Sequence, residues 1–408
     1  MNDPDDPSIH NTRNNAGRNK SFVPFAYGFR PFFLLTGWFA VFSMGAWLLI
    51  FSTGMPLTAA LPLPMLHGHE MLFGLVSAAI AGFLLTAVPS WTGTRGFGGL
   101  PLVILTVTWL LGRVFFLLAG IVPFGLLAFT ELAFLPMLAV FIAPPLIRSR
   151  NRNTPLLGVL LLLWLADAAF LLAMHNSDIG MAAKSIFATL NVVLLLITII
   201  GGRIVPAFTS SALRKNGINA TMRSWPWLER VVIVLMVLML LVDLWSPDVR
   251  ITGAVAALAA LVQLLRLSGW NGWRTRKEPI VWILHAGYAW IPMGLLLKAC
   301  FMLGGFPWAA FWQHALGAGA AATMILAVMS RATLGHTGRP LQVAPIMAWS
   351  YGLLIAAVLV RVLGPALLPL SYIVSIKLAG ALWLAAWLIY AVVYTPILLK
   401  PRLDGKPG

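Results

Sequence analysis

Apolar stretches of about twenty residues recur from Pro31 almost to the end of the chain, separated by short polar or proline-containing breaks. A helix that crosses the hydrocarbon core of a bilayer needs about 20 mostly apolar residues. Only a helix or a closed barrel can satisfy its backbone polar groups there. The pattern predicts about twelve transmembrane helices, at roughly 32–52, 70–90, 101–120, 124–147, 155–174, 183–205, 228–246, 250–268, 280–303, 311–331, 343–363 and 372–398. The shortest breaks are Val122-Pro123, between the third and fourth, and Ser246-Pro247-Asp248, between the seventh and eighth. The expected class is all-α and polytopic: one transmembrane domain over 25–400, a disordered tail at 1–24 and a short tail at 401–408.

Composition agrees, with 60% hydrophobic and 10% charged residues against about 25% charged in soluble proteins. The charges that remain report topology. Arg95, Arg148, Arg150, Arg152, Arg214, Lys215, Arg223, Arg274, Arg276, Lys277 and Arg339 all fall in loops after even-numbered spans, and Lys400, Arg402 and Lys406 in the C-terminal tail. The other loops hold little beyond Lys184 and Arg250. By the positive-inside rule both ends are expected in the cytoplasm. The net charge of +16 therefore reads as topology. It forms no basic face interleaved with aromatics, so no nucleic-acid partner is expected. The single cysteine, Cys300, excludes an internal disulfide and a Cys-x-x-Cys-His attachment. Residues 1–20 do not resemble a cleaved signal peptide, so the first helix is expected to act as an uncleaved anchor.

An internal repeat is visible. The second span ends Ala87-Val88-Pro89-Ser90-Trp91-Thr92, the sixth Ile204-Val205-Pro206-Ala207-Phe208-Thr209 and the tenth Ala327-Val328-Met329-Ser330-Arg331-Ala332-Thr333. The valines are 117 and 123 residues apart, four helices each time. Three four-helix units around a pseudo-threefold axis are expected, unlike the paired inverted halves of many transporters.

Ionisable groups inside a membrane are costly and tend to be functional. His67, His69 and Glu70 open the second span, and His314 opens the tenth, at similar depth. Imidazoles from two helices can hold a haem iron between them, and one alone leaves a position open to a gas. His67 and His69 are two apart and would point to different faces of a continuous helix; Gly68, Pro62 and Pro64 suggest that the helix begins here, so both can reach one site, with His69 the preferred partner of His314. At the inner side, His285 and His336 are expected to meet, with Arg203 and Arg331 nearby. Arg113, Glu131 and Asp167 lie deeper, as a mutually neutralising set or a proton path. Lys298, Arg361 and Lys377 lie near the outer ends, where long side chains can reach water. Gly317 and Gly319 give the tenth helix a small-residue face, for close packing or for a flat cofactor. There is no Walker loop, dinucleotide glycine motif or Ser/His/Asp grouping.

Gly68-His69-Glu70-Met71-Leu72-Phe73-Gly74, Ala81-Gly82-Phe83-Leu84-Leu85-Thr86-Ala87-Val88-Pro89 and Trp91-Thr92-Gly93 resemble the NnrS family. So do Phe25-Ala26-Tyr27-Gly28-Phe29-Arg30-Pro31-Phe32-Phe33, Gly201-Gly202-Arg203-Ile204-Val205-Pro206-Ala207-Phe208-Thr209, His285-Ala286-Gly287-Tyr288-Ala289-Trp290 and Leu334-Gly335-His336-Thr337-Gly338-Arg339. The resemblance implies a haem- and copper-containing protein of the bacterial inner membrane. It also implies a place in nitric oxide metabolism, in denitrification or in tolerance of nitrosative stress. A more distant likeness is to the large subunit of haem–copper oxidases and nitric oxide reductases. That subunit has twelve helices, pseudo-threefold symmetry and haem histidines on helices 2 and 10. Its copper histidines sit on helices 6 and 7, and here those spans contain none; Asn191 is no substitute. The expectation is a membrane protein that binds or converts nitric oxide at a haem. The alternatives are a transporter of a metal, a metal–nitrosyl species or another small solute, and a structural or sensory protein without turnover.

Overall fold

The computed structural model describes residues 23–54, 62–246, 248–367 and 371–405. Twelve long helices make up nearly all of it: α1 Phe29–Thr53, α2 Leu63–Thr92, α3 Leu100–Leu117, α4 Phe124–Arg148, α5 Leu156–His175, α6 Ile179–Lys215, α7 Pro226–Trp245, α8 Val249–Ser268, α9 Pro279–Gly304, α10 Pro307–His336, α11 Pro345–Leu367 and α12 Tyr372–Leu399. The described residues form no strand. Eleven of these helices are long and apolar enough to span a membrane, so this is a multi-pass membrane protein.

The exception, α7, is long enough but carries Glu229, Arg230 and Asp243. Its two acids are neutralised by neighbours. Glu229 pairs with Arg266 of α8, and Asp243 pairs with Lys298 of α9 at 2.5 Å and accepts a hydrogen bond from Asn191 of α6 at 2.6 Å. Lys298 therefore does not reach for water, as its position near a helix end led one to expect. It is 1% exposed, with its ammonium 4.4 Å from the Trp312 ring centroid. A salt bridge broken on one side leaves an unpaired buried charge. Lys298→Met is expected to cost about 3 kcal/mol in a reversible SDS titration, and the double variant K298M/D243N to recover most of it.

α2, α6 and α10 each pack against the other two. Their most apolar stretches are 83%, 72% and 72% buried, against 33–61% for the other spans so measured. These are the helices at equivalent places in the sequence repeat, and they form the centre around which the remaining nine close. Lipid is as apolar as the side chains, so helices associate through close packing and polar contacts rather than through the hydrophobic effect. Gly319 of α10 shows the requirement: a Cβ there would come within 2.7 Å of Trp290 of α9. Many buried hydroxyls are satisfied within their own helices, as when Thr86 donates to Gly82 O at 2.7 Å and Thr189 to Ser185 O at 2.8 Å, and Ser350 donates across to Ala386 O at 2.8 Å.

Two boundaries differ from expectation. α6 runs through Pro206 to Lys215, where the pattern predicted an end near 205. Transmembrane helices tolerate an internal proline where the bundle accommodates the one carbonyl it frees, here Gly202 O, and α6 continues past it without a break. α2 starts at Leu63, with Pro64 in its first turn, a position where proline's missing N–H and fixed φ are tolerated. His67 and His69 are thus inside the helix rather than at its mouth. The expected N-terminal tail lies almost entirely outside the described residues. The C-terminal segment is docked up to Gly405: Leu403 N donates to Thr337 O at 3.1 Å, and Arg402 to His336 O at 2.8 Å.

Candidate functional site

α2 and α10 share a local irregularity. Directly after His69, residues Glu70–Val76 wind as a π-helix, and directly after His314, residues Ala315–Ala322 do the same. A π turn inserts a residue into the helical spiral and is found mostly at functional sites. The wider turns redirect the side chains on either side. His67 and His69, two apart on the α-helical turns before the π segment, point to different faces and end in unrelated surroundings.

His67, not His69, faces His314. The two rings are 6.4 Å apart between centroids and 16° from parallel, on the wall of a cavity of about 560 Å³ between α1, α2, α6, α10, α11 and α12. The lining is mostly apolar, and Trp47 stands over His67 at 5.1 Å. Arg361 of α11, partly exposed, also lines it, with its guanidinium carbon 4.5 Å from the Phe311 ring centroid. Four buried polar atoms on this wall have no partner: His67 Nδ1, His314 Nδ1, Arg361 Nη1 and Trp47 Nε1. Buried polar atoms are almost always hydrogen-bonded, so a cluster of exceptions points to a ligand. The two glycines of α10 divide between the readings given them. Gly319 packs on a helix, whereas Gly317 lines the cavity with nothing within 4 Å of where a Cβ would stand.

His69 turns the other way and is fully buried. Its ring stacks on Phe116 at 3.7 Å and is flanked by Phe170 and Phe73. Nδ1 lies 3.1 Å from Glu70 Oε1, and Nε2 lies 3.2 Å from Asp167 Oδ1 and 3.8 Å from Glu131 Oε1. Arg113 of α3 closes the group, pairing with Glu70 at 2.6 Å and with Glu131. A neutral imidazole has one donor nitrogen, so two carboxylate contacts call for a second proton on the ring or one on an acid. Even with His69 doubly protonated, three carboxylates outnumber two cations. A further proton or a metal ion would complete the balance. His69, Glu131 and Asp167 offer ligand atoms within 4.8 Å of one another, a spacing suited to one ion.

The other pair is not brought together. His285 Nε2 is 2.7 Å from the Thr209 hydroxyl, which itself donates to Val205 O. The ring therefore donates to Thr209, and its Nδ1 faces Gly272. His336 instead lies against Phe29 at 5.6 Å and Tyr27 at 6.4 Å. Arg203 donates to Asn153 Oδ1 at 2.6 Å, and Arg331 lies over the Phe208 ring at 3.9 Å. His175 stacks on Phe124 at 4.0 Å.

Several participants escaped the sequence reading. Glu229 and Asp243 on α7, and their neighbour Arg266 on α8, are partners whose signal was present: α7 carries three charges, Glu229, Arg230 and Asp243, in an otherwise apolar helix. Arg30, 1% exposed, donates to Leu398 O and Lys400 O and so caps the end of α12. Trp47 carried no signal.

A search among curated proteins gives no match. The family model described as NnrS protein matches residues 23–402, nearly the whole chain, and covers both histidine clusters. Membership is consistent with a role in nitric-oxide-related metabolism and with metal and haem binding in general terms. The chain belongs to the NnrS family.

Proposed function

We propose that the protein binds a haem in the 560 Å³ cavity, which His67 and His314 would hold, and that nitric oxide binds or is converted there by taking the place of one of the two imidazoles. The observation that carries this reading is the pair of facing imidazoles with unpartnered Nδ1 atoms. The residues fit the group. A metal between two imidazoles holds their centroids about 6 Å apart, given bonds of about 2.0–2.1 Å, and the observed separation is 6.4 Å. The cavity size is within the usual range for cofactor sites, about 300–1,000 Å³, and Gly317 leaves one wall flat. Arg361 Nη1 offers a donor to a carboxylate such as a propionate. Bound haem would supply an iron with affinity for nitric oxide. The chain orients it through two helices and shields it with Met44, Met71, Leu190 and Trp383. A second metal, copper included, is assigned by the same reasoning to His69, Glu131 and Asp167 rather than to His285 and His336. The expected setting is the bacterial inner membrane, with both ends cytoplasmic.

The test is a reduced-minus-oxidised spectrum of detergent-purified protein from haem-supplied cells, before and after nitric oxide. A Soret band that shifts with the gas is expected. A featureless spectrum from folded protein, with solute flux in liposomes, would put the transporter in its place.

A further inference from the structure

About 13 residues along α6 from Leu190, or ~20 Å at 1.5 Å per residue, lies a second cavity, of about 360 Å³. It is bounded by Gly202 and Arg203 of α6, the segment Met222–Ser224, Glu229 of α7 and Arg266 of α8. Three arginines and one glutamate line it, and the glutamate is already committed. Arg266, 2% exposed, donates through Nε to Glu229 Oε1 at 3.0 Å and pairs with Oε2 through Nη2. Its Nη1 is taken by Thr198 O at 2.8 Å and the Tyr288 hydroxyl at 2.7 Å. Gly202 is required beside it, because a Cβ would run into the guanidinium.

Arg203 and Arg223 are left. Arg203 has only a neutral amide, Asn153, as its recorded side-chain partner. Neither forms a salt bridge among the described residues; Arg203 feels repulsion from Arg152 and Arg266 against attraction from Glu229, and both side chains are exposed at the cavity rim. The rim is fixed in place: Arg223 N donates to Gly269 O at 3.0 Å, and Asn271 Nδ2 to Thr221 O at 2.9 Å. The site thus holds two uncompensated positive charges above a preformed cavity. Two exposed tryptophans stand in the neighbouring segments, Trp227 at 55% and Trp273 at 79%. Such residues sit at headgroup level. Ile199 and Ile233 give the cavity apolar walls.

We infer that this cavity binds the phosphate of an anionic phospholipid headgroup, with Arg203 and Arg223 as its ligands. Basic pockets between transmembrane helices on the cytoplasmic side are suited to such headgroups, and positive-inside bias assigns this end to that leaflet. The apolar walls and the tryptophans favour a lipid over a free oxyanion. The inference is independent of the haem reading.

Native mass spectrometry of the full chain, released from micelles containing phosphatidylglycerol and phosphatidylcholine, tests it. Wild type is expected to retain one phosphatidylglycerol. R203Q/R223Q is expected to hold it about thirtyfold more weakly, each basic residue near an anionic surface contributing about a factor of five. R148Q/R150Q, which removes two exposed inner-loop arginines outside the cavity, is expected to match wild type. If R203Q/R223Q does not fold, R203K/R223K keeps the charge and is expected to bind at an intermediate level. Equal retention by R203Q/R223Q and wild type, or equal loss in R148Q/R150Q, would overturn the assignment. Added inorganic phosphate separates the sources. Displacement of the lipid by millimolar phosphate that itself binds wild type but not R203Q/R223Q would keep the phosphate chemistry and overturn the lipid.

Discussion

The double variant H67A/H314A is expected to purify as folded protein with no bound haem. Each imidazole comes from a different central helix, so each single variant removes one of two anchors and is expected to lower occupancy and shift the Soret band. Neither ring has another hydrogen-bond partner at Nδ1, so its loss should cost little stability beyond packing. Haem content by the pyridine haemochrome assay, normalised to protein, reads the result. H69A is the informative comparison. If His69 were the partner of His314, as the sequence alone led one to expect, it would strip haem as thoroughly as H67A. With the ring buried against Phe116 and Asp167, H69A should keep haem and lose stability instead. Haem retained at wild-type level in H67A/H314A would remove the site assignment, whatever H69A does.

The contrast between these histidines shows how far sequence reading reaches. The all-α, multi-pass character and the places of the helices were legible because the bilayer imposes a length and an apolar composition on each crossing. A repeat of a few residues around Val88, Val205 and Val328 marked α2, α6 and α10 as equivalent, but their central place is visible only in the packed bundle. The choice between His67 and His69 was not legible either. It depends on where α2 starts and how the helix is rotated: with the helix already formed from Leu63, residues two apart point to different faces, and only the packed bundle shows which face meets α10. The carboxylates were recognised as partners of Arg113, but not as the surroundings of His69, because α2, α3, α4 and α5 converge on that point only in three dimensions. Asp243 shows the converse. Its helix was counted as a span while its charges went unread, although an acid in an apolar run demands a cation on a neighbour.

Arg113→Ala should produce the largest loss of stability of any single substitution in the protein. Its guanidinium is the only permanent cation among Glu70, Glu131 and Asp167, and it touches the first two. Removing one partner of a buried ion pair typically costs about 3–5 kcal/mol because the remaining charge stays buried and unpaired. Here two acids lose their partner at once, so the upper part of that range is expected. The chain can respond only by taking up protons at the acids or by admitting water. R113K keeps the charge but not the fork that reaches Glu70 and Glu131 together, and should recover no more than half of the loss. E131Q in the R113A background is expected to restore part of it by removing one of the orphaned charges. The energies of such neighbours are not additive, so the full cycle is needed, read in reversible SDS titrations. A metal in the His69, Glu131 and Asp167 group would change the pattern in one recognisable way. Chelator treatment would then destabilise wild type while leaving H69A unaffected. If R113A were as stable as wild type, the cluster would already be neutralised by protons, and its charge would carry no part of the fold.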